Sequence, residues 1–178
     1  MNRLICTLAI CAAAVAPAHA QLSDAEFEAI RLSRVVTAIR ITEAITLDGR
    51  LDESVWQQAV PATDFFQKLP DNGAPSTERT EVRFLYDDDN LYIGVTCYDS
   101  EPSRLLIRDL REDFTFNASD LAQIFLDSLH DGRSGFTFVV NPAGARRDTQ
   151  VSSSGVNQDW DGVWDAKTSS TEEAWFVE

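Results

Sequence analysis

The sequence predicts an all-β fold, an antiparallel β-sandwich with one or two short helical pieces, and three observations carry that prediction. The first is residues 80–99, TEVRFLYDDDNLYIGVTCYD, where two runs rich in β-branched and aromatic residues flank four turn formers, Asp87 to Asn90. Val82, Phe84 and Tyr86 alternate with Glu81, Arg83 and Leu85; Ile93, Val95 and Cys97 alternate with Tyr92, Gly94 and Thr96. Period-two alternation around Asp and Asn is the pattern of a hairpin with one buried face. The second is the recurrence of turn signals between short apolar runs, at Asn72-Gly73, Ser100 to Ser103, Ser128 to Ser134 and Asn141 to Gly144. The third is the shortage of helical periodicity, which is confined to two short stretches. Many short strands with few helices fit two packed sheets.

Taken in order, residues 1–20 read as a secretory signal peptide. Arg3 gives a basic start, Leu4 to Val15 an apolar run, and Ala18-His19-Ala20 a cleavage site of small-x-small type. The apolar run is too short for a good membrane span. Ser23-Asp24-Ala25-Glu26 is a capping-box pattern that opens a short helix, so 21–34 form a helical lead-in. Val35 to Ile41 alternates loosely as an edge strand. Asp48-Gly49 is a tight turn, after which Asp52 is placed to cap a short helix through Ala59. Leu51 and Trp56 then stand at the spacing of a hydrophobic staple, which gives Trp56 a structural role.

Pro70, Asn72-Gly73 and Pro75 keep 61–79 a loop, and 105–116 is open between a short helix and an irregular crossover. Further strands are expected at 121–127, 135–140, a more polar 145–152, then 163–168 and 174–177, with 152–162 a polar loop. The expected core is Val82, Phe84, Ile93, Val95, Ile124, Leu126, Phe136 and Phe138. Trp175-Phe176-Val177-Glu178 lies in mid-strand, and a sandwich ending there would carry an unpaired apolar edge, which natural domains avoid. The expectation is therefore a sandwich over 35–178 that is truncated at its C-terminus, with more protein beyond it.

Composition removes several function classes. Once the leader is cleaved, Cys97 is the one cysteine left and His130 the one histidine, so there is no disulfide framework and little basis for zinc or Ser-His chemistry. Cys97 sits on the apolar face of a strand, as a small buried hydrophobe does. The net charge of −14 repels phosphate backbones and anionic lipid, which argues against nucleic acid as a partner.

Three segments together resemble the family-9 carbohydrate-binding modules: LDGRLDESVWQQA (47–59), TEVRFLYDDDNLYIGVTCYDSEPS (80–103) and DLAQIFLDSLHDGRSGFTFVVNPAGARRD (120–148). The similarity is greater still to the family-9-like domain at the front of large bacterial outer-membrane proteins with a C-terminal β-barrel. The resemblance implies an immunoglobulin-like sandwich that binds polysaccharide or oligosaccharide without catalysis of its own. It also implies an exported protein, in the periplasm, the outer membrane or outside the cell, with a membrane β-barrel as a candidate further domain. In that family an aromatic residue ahead of a D-S-V-E-I-F-I-D-like strand stacks on a sugar. Here the strand is Asp120 to Asp127, with Phe114 and Phe116 ahead of it and Gln123 in place of the family's carboxylate. The family's basic residue on the next strand is Val139, and its second tryptophan would fall beyond Glu178.

On their own chemistry, sugars need flat aromatic faces for the C–H side of the ring and amides or carboxylates for the hydroxyls. Phe116, Tyr98 and Trp160 are the candidate exposed aromatics; the loop position of Trp160 leaves ligand stacking and core packing both open. Trp164 and Trp175 fall in expected strands and belong with the core. The run Asn157-x-Asp159-x-Asp161-Gly162, with Asp165 as a further ligand, matches the opening of a calcium loop. Position twelve is Thr168 rather than Glu, so the pattern supports at most a weak calcium site, its alternative being a solvated acidic turn. Asp87 to Asp89 reads as a solvated hairpin tip. A glycosidase needs two carboxylates across a cleft. Asp120 and Asp127 would stand roughly 23 Å apart on an extended strand, and no other pair is singled out, so the chain reads as non-catalytic.

Overall fold

The computed structural model describes residues 23–115 and 119–178; the expected leader and Phe116 lie outside them. The chain enters through helix α1 (Asp24–Ser33), closed by the expected capping box. Ser23 N–H and Oγ donate to Glu26 Oε2 at 2.9 and 2.6 Å, and Glu26 N–H returns to Ser23 Oγ at 3.3 Å. Arg34 then anchors the lead-in by donating to the carbonyls of Thr63 and Asp64, its guanidinium 4.6 Å over the Phe66 ring. No described helix is long and apolar enough to cross a membrane.

Beyond it the described residues form strands, turns, irregular segments and single 3-10 turns. The strands are β1 (Ile39–Arg40), β2 (Thr80–Tyr86), β3 (Leu91–Tyr98), β4 (Ala122–Leu126), β5 (Gly135–Val140), β6 (Arg146–Ser152), β7 (Gly155–Asn157), β8 (Thr168–Ser170) and β9 (Ala174–Val177). They form a five-stranded sheet, β1-β2-β3-β9-β8, and a four-stranded sheet, β4-β5-β6-β7. All pairs are antiparallel except β1–β2, which is parallel, and the expected edge strand over 35–41 contracts to two residues.

The sheets meet through the faces that alternation points inward. Val82 lies opposite Val95 and Phe84 opposite Ile93, while Ile124 lies opposite Phe138 and Ala122 opposite Val140. Val95, Trp175 and Val177 of the first sheet pack with Val140 of the second, and Val82, Ile93, Cys97 and Ile124 close around them. This is the all-β sandwich expected, with all eight expected core residues buried or half-buried on its inner faces. Burial, followed by the nearby Asp120, pushes the Cys97 thiol up to about 12, as suits an inert hydrophobe.

The most deeply buried side chains lie elsewhere. Trp56 and Leu85 are 0 % exposed on the outer face of the first sheet, where residues 41–59 fold over it with Ile41, Val55 and Ala59. Gly94 makes room for them, because a Cβ there would stand 2.8 Å from both Leu51 Cδ2 and Trp56 Cζ3. On the outer face of the second sheet Val139 is 0 % exposed beneath Phe114 at 2 %. Alternation expects one buried face per strand; here irregular segments seal part of the second face as well, so Leu85 is not outward-facing in water. Phe114, ahead of the family-like strand, is likewise a plug rather than a free stacking face.

Other expectations are corrected by hydrogen bonding. Asp52 caps nothing: the helical piece is one 3-10 turn, Trp56–Gln58, with no side-chain cap. The strand expected over 163–168 begins only at Thr168, and Val163 is fully exposed. β9 is hydrogen-bonded on both sides, to β3 and β8, so the unpaired apolar edge expected there is not present. Asp87 is not merely solvated. It accepts from the amides of Asp89 and Asn90 at 2.8 and 2.6 Å and from Tyr92 Oη at 2.8 Å, and thereby shapes the hairpin turn.

Candidate functional site: an acidic cleft walled by two tryptophans

The inner face of the second sheet does not end at β5. In register with Val140, Phe138 and Phe136, strand β6 places Arg146, Asp148 and Gln150 on that same face. The loop leading out of β7 folds back across them. Trp160 lies on Phe136 with centroids 4.6 Å apart and meets Phe138 edge-on at 6.1 Å; Trp164 meets Phe138 edge-on at 5.0 Å. Gly162 is required for this return, since a Cβ there would stand 2.5 Å from Trp160 Cη2 and 3.1 Å from Asp148 Oδ2. Between loop and strand lies a cleft of about 260 Å³ walled by the two indoles.

Asp148 holds the loop in place. The residue is only 6 % exposed, and its Oδ2 accepts from Gly162 N–H and Trp164 Nε1–H, both at 2.8 Å. Burying a carboxylate costs little only where it is hydrogen-bonded, and both donors are rigid. Arg146 ties the opposite wall: Nη1 donates to Trp164 O at 2.8 Å and Asp165 Oδ1 at 2.9 Å, Nη2 to Glu112 Oε1 at 3.3 Å, and the guanidinium stands 5.4 Å from the Trp164 ring. Arg147, on the outer face, donates to Phe114 O at 2.9 Å and to Gln158 Oε1 at 3.1 Å. Asp113, Asp159 and Asp161 add carboxylates around the mouth.

Among the described residues, the carbohydrate candidates Gln123, Trp160 and Tyr98 are not brought together. Trp160 lines this cleft, its ring resting on the inner-face aromatics. Gln123 is exposed and in register with Val139, and so belongs to the opposite, outer face of the same sheet. Tyr98 lines a different opening of about 470 Å³ beside Cys97, Leu105 and Trp175, with the Arg79 guanidinium 4.9 Å over its ring. No described residue lines both clefts. Asp159 and Asp161 sit at the Trp160 cleft, whereas Asp165 is taken up by Arg146 and the Ala166 amide. Among the described residues no group of three or more His, Cys, Asp or Glu side chains is placed to hold a metal ion, so the calcium-loop expectation finds no assembled site.

Sequence reading missed Arg146, Asp148 and the part played by Trp164. The signal was present in the polar strand ARRDTQ directly after an aromatic one. Its polar residues gain meaning only from the register that sets Asp148 opposite Phe138. No family model, no curated protein and no solved structure matches the chain.

Proposed function

We propose that this chain is a non-catalytic carbohydrate-binding module of an exported protein, and that its glycan is seated in the Trp160–Trp164 cleft. The observation that carries the reading is the juxtaposition of two indole walls with the side chains of Asp148, Gln158 and Arg147 in one concave site. The lining is predominantly polar, so fixed partners for sugar hydroxyls dominate it, and the indoles add a smaller apolar surface for the C–H side of a pyranose. The three family-9-like segments and the leader pattern of residues 1–20 support the same reading. Any chemistry on the glycan would belong to other domains.

Isothermal titration of the full chain against soluble β-linked oligosaccharides tests it. Trp160→Ala and Gln158→Ala are the informative variants, with far-UV circular dichroism as the control for folding. Loss of one stacking wall should cost roughly ten- to hundredfold in affinity, by analogy with aromatic stacking on bases at about 1–3 kcal/mol. A chain that binds no glycan, or a folded Trp160→Ala that binds like the wild type, would sink the proposal.

A second reading, an interaction domain attached to an outer-membrane β-barrel, draws on one feature. Leu106, Ile107 and Leu110 are all exposed along the extended strap between the sheets. Substituting the three by Ser without effect on co-purification with a barrel-forming partner would dismiss it.

A further inference from the structure

Resting on the carbohydrate-binding reading, we infer that the Trp160–Trp164 cleft selects glycans bearing free amines, cationic amino sugars, over neutral glycans and over polyuronates. Five carboxylates and two guanidiniums line the cleft, a net of three negative charges. The guanidiniums do not offset this toward a ligand. Arg146 already faces Glu112 and Asp165, and both Nη groups of Arg147 are already donating, to Phe114 O and Gln158 Oε1. An anionic sugar therefore meets carboxylates with no fork of donors turned toward it.

The carboxylates are differently placed. Among the described residues Asp113, Asp159 and Asp161 form no side-chain hydrogen bond or ion pair. Asp148 is the decisive group. It is 94 % buried by its 6 % exposure, Oδ2 is satisfied twice, and Oδ1 has no hydrogen bond among the described residues. Oδ1 is therefore the atom of this carboxylate left open to the cleft, where a cationic donor would pair with it. An ammonium presents three N–H donors and a positive charge from one tetrahedral centre, and so can serve Oδ1 and a rim carboxylate together. The chain's net charge of −14 adds a long-range attraction for a polycationic glycan that salt will screen.

The test titrates the full chain with hexamers of glucosamine, N-acetylglucosamine, β-1,4-glucose and galacturonic acid at about pH 5.5, where the sugar amine is protonated. The glucosamine hexamer should bind about tenfold or more tighter than its acetylated counterpart, and raising NaCl from about 20 to about 200 mM should remove most of that advantage. Asp159→Asn/Asp161→Asn should erase the preference. Asp88→Asn/Asp89→Asn, which removes the same charge from the exposed hairpin tip, should retain it. Equal binding of the acetylated, neutral or uronic hexamer would overturn the amine specificity while leaving carbohydrate binding in place. So would equal losses in the two double variants, which would reduce the effect to net charge. Absence of binding to all four hexamers would instead bring down the underlying reading.

Discussion

Trp56 and Trp160 are the same residue put to opposite uses. Each leaves an irregular segment and lies across a face of a sheet. Trp56 is sealed: Ile41, Val55 and Leu85 surround it, and Gly94 beneath it gives it depth. Trp160 rests on Phe136 with equal intimacy, but its surroundings are Asp148, Asp159, Asp161 and Arg147, and a cleft stays open beside it. The difference lies in the frame, not the ring. An apolar frame excludes water on every side and converts area into stability. A charged frame cannot collapse onto the ring, because each carboxylate and guanidinium keeps its own claim on hydrogen bonds. One tryptophan therefore holds the fold, and the other lines an open cleft.

The largest test of this contrast is truncation of each ring. Trp56→Ala should cost about 3–5 kcal/mol in chemical denaturation, as expected for a fully buried aromatic that leaves a cavity. Trp56→Phe should cost clearly less, since the lost volume is smaller and Trp56 Nε1 is buried with no hydrogen-bond partner. Trp160→Ala should show the reverse profile, a smaller loss of stability and a larger loss of glycan affinity. Equal destabilisation by Trp56→Ala and Trp160→Ala would erase the distinction.

The next test uses the two glycines on which the rings depend. Gly94→Ala drives a Cβ into Leu51 and Trp56 inside a closed core, and should cost about 1–3 kcal/mol with little change in binding. Gly162→Ala drives a Cβ against the Trp160 edge and Asp148 beside an open cleft, where the ring can yield outward. Its stability cost should be the smaller of the two and its affinity loss the greater. Thermal melts and titrations of both variants check the crossing of the two effects.

A pH series extends the contrast to two carboxylates that both accept backbone amides. Asp87, at the exposed hairpin turn, is held below the ordinary range first by the Asp89 amide and then by Tyr92 Oη. Glu178 accepts from the amides of Asp48 and Gly49 at 2.9 and 3.1 Å, yet burial outweighs those bonds and raises it. The signs then oppose. Asp87 contributes stability that is present above the ordinary value of about 4 and lost as pH falls below it. Glu178 contributes stability that is present at low pH and lost as pH rises through its raised value. In thermal melts Asp87→Asn should weaken the acid-side fall, and Glu178→Gln should flatten the decline on the other side. A melting profile left unchanged by either variant would contradict its assigned shift.

How much of this was legible in the sequence follows from which forces are local. The hairpin of β2 and β3 is written in alternation and in Asp87 to Asn90, and the capping box of α1 in four consecutive residues. The pairing of β4 with β5 follows in the same way. The outer plugs were half legible: the Leu51–Trp56 staple announced a buried ring, but nothing in 41–59 states which sheet face it covers. Asp148 was invisible, because its role depends on a partner strand's register and on Gly162 fourteen positions away. The expected grouping of Gln123 with Trp160 is not met, for a related reason. Period two decides that neighbouring residues on a strand face apart, yet only the fold decides which side a distant loop returns to.

The smallest expected effect is therefore the sharpest check on the site's location. Gln123 is exposed on β4 beside Val139, while Trp160 covers the ring faces of Phe136 and Phe138 on the other side of the same sheet. The cleft reaches the outer face only at Arg147 on β6, with Val139 of β5 between it and Gln123, so a glycan seated against Trp160 lies mainly on the other side of the sheet from Gln123. Gln123→Ala should shift stability by no more than about 0.5 kcal/mol, as surface substitutions do, and leave glycan affinity within about twofold. Gln158→Ala, a change of the same chemistry made on the cleft side, should weaken binding measurably. If Gln123→Ala instead weakens binding while Gln158→Ala does not, the glycan sits on the outer face, and the acidic cleft serves only to fasten the loop of Trp160.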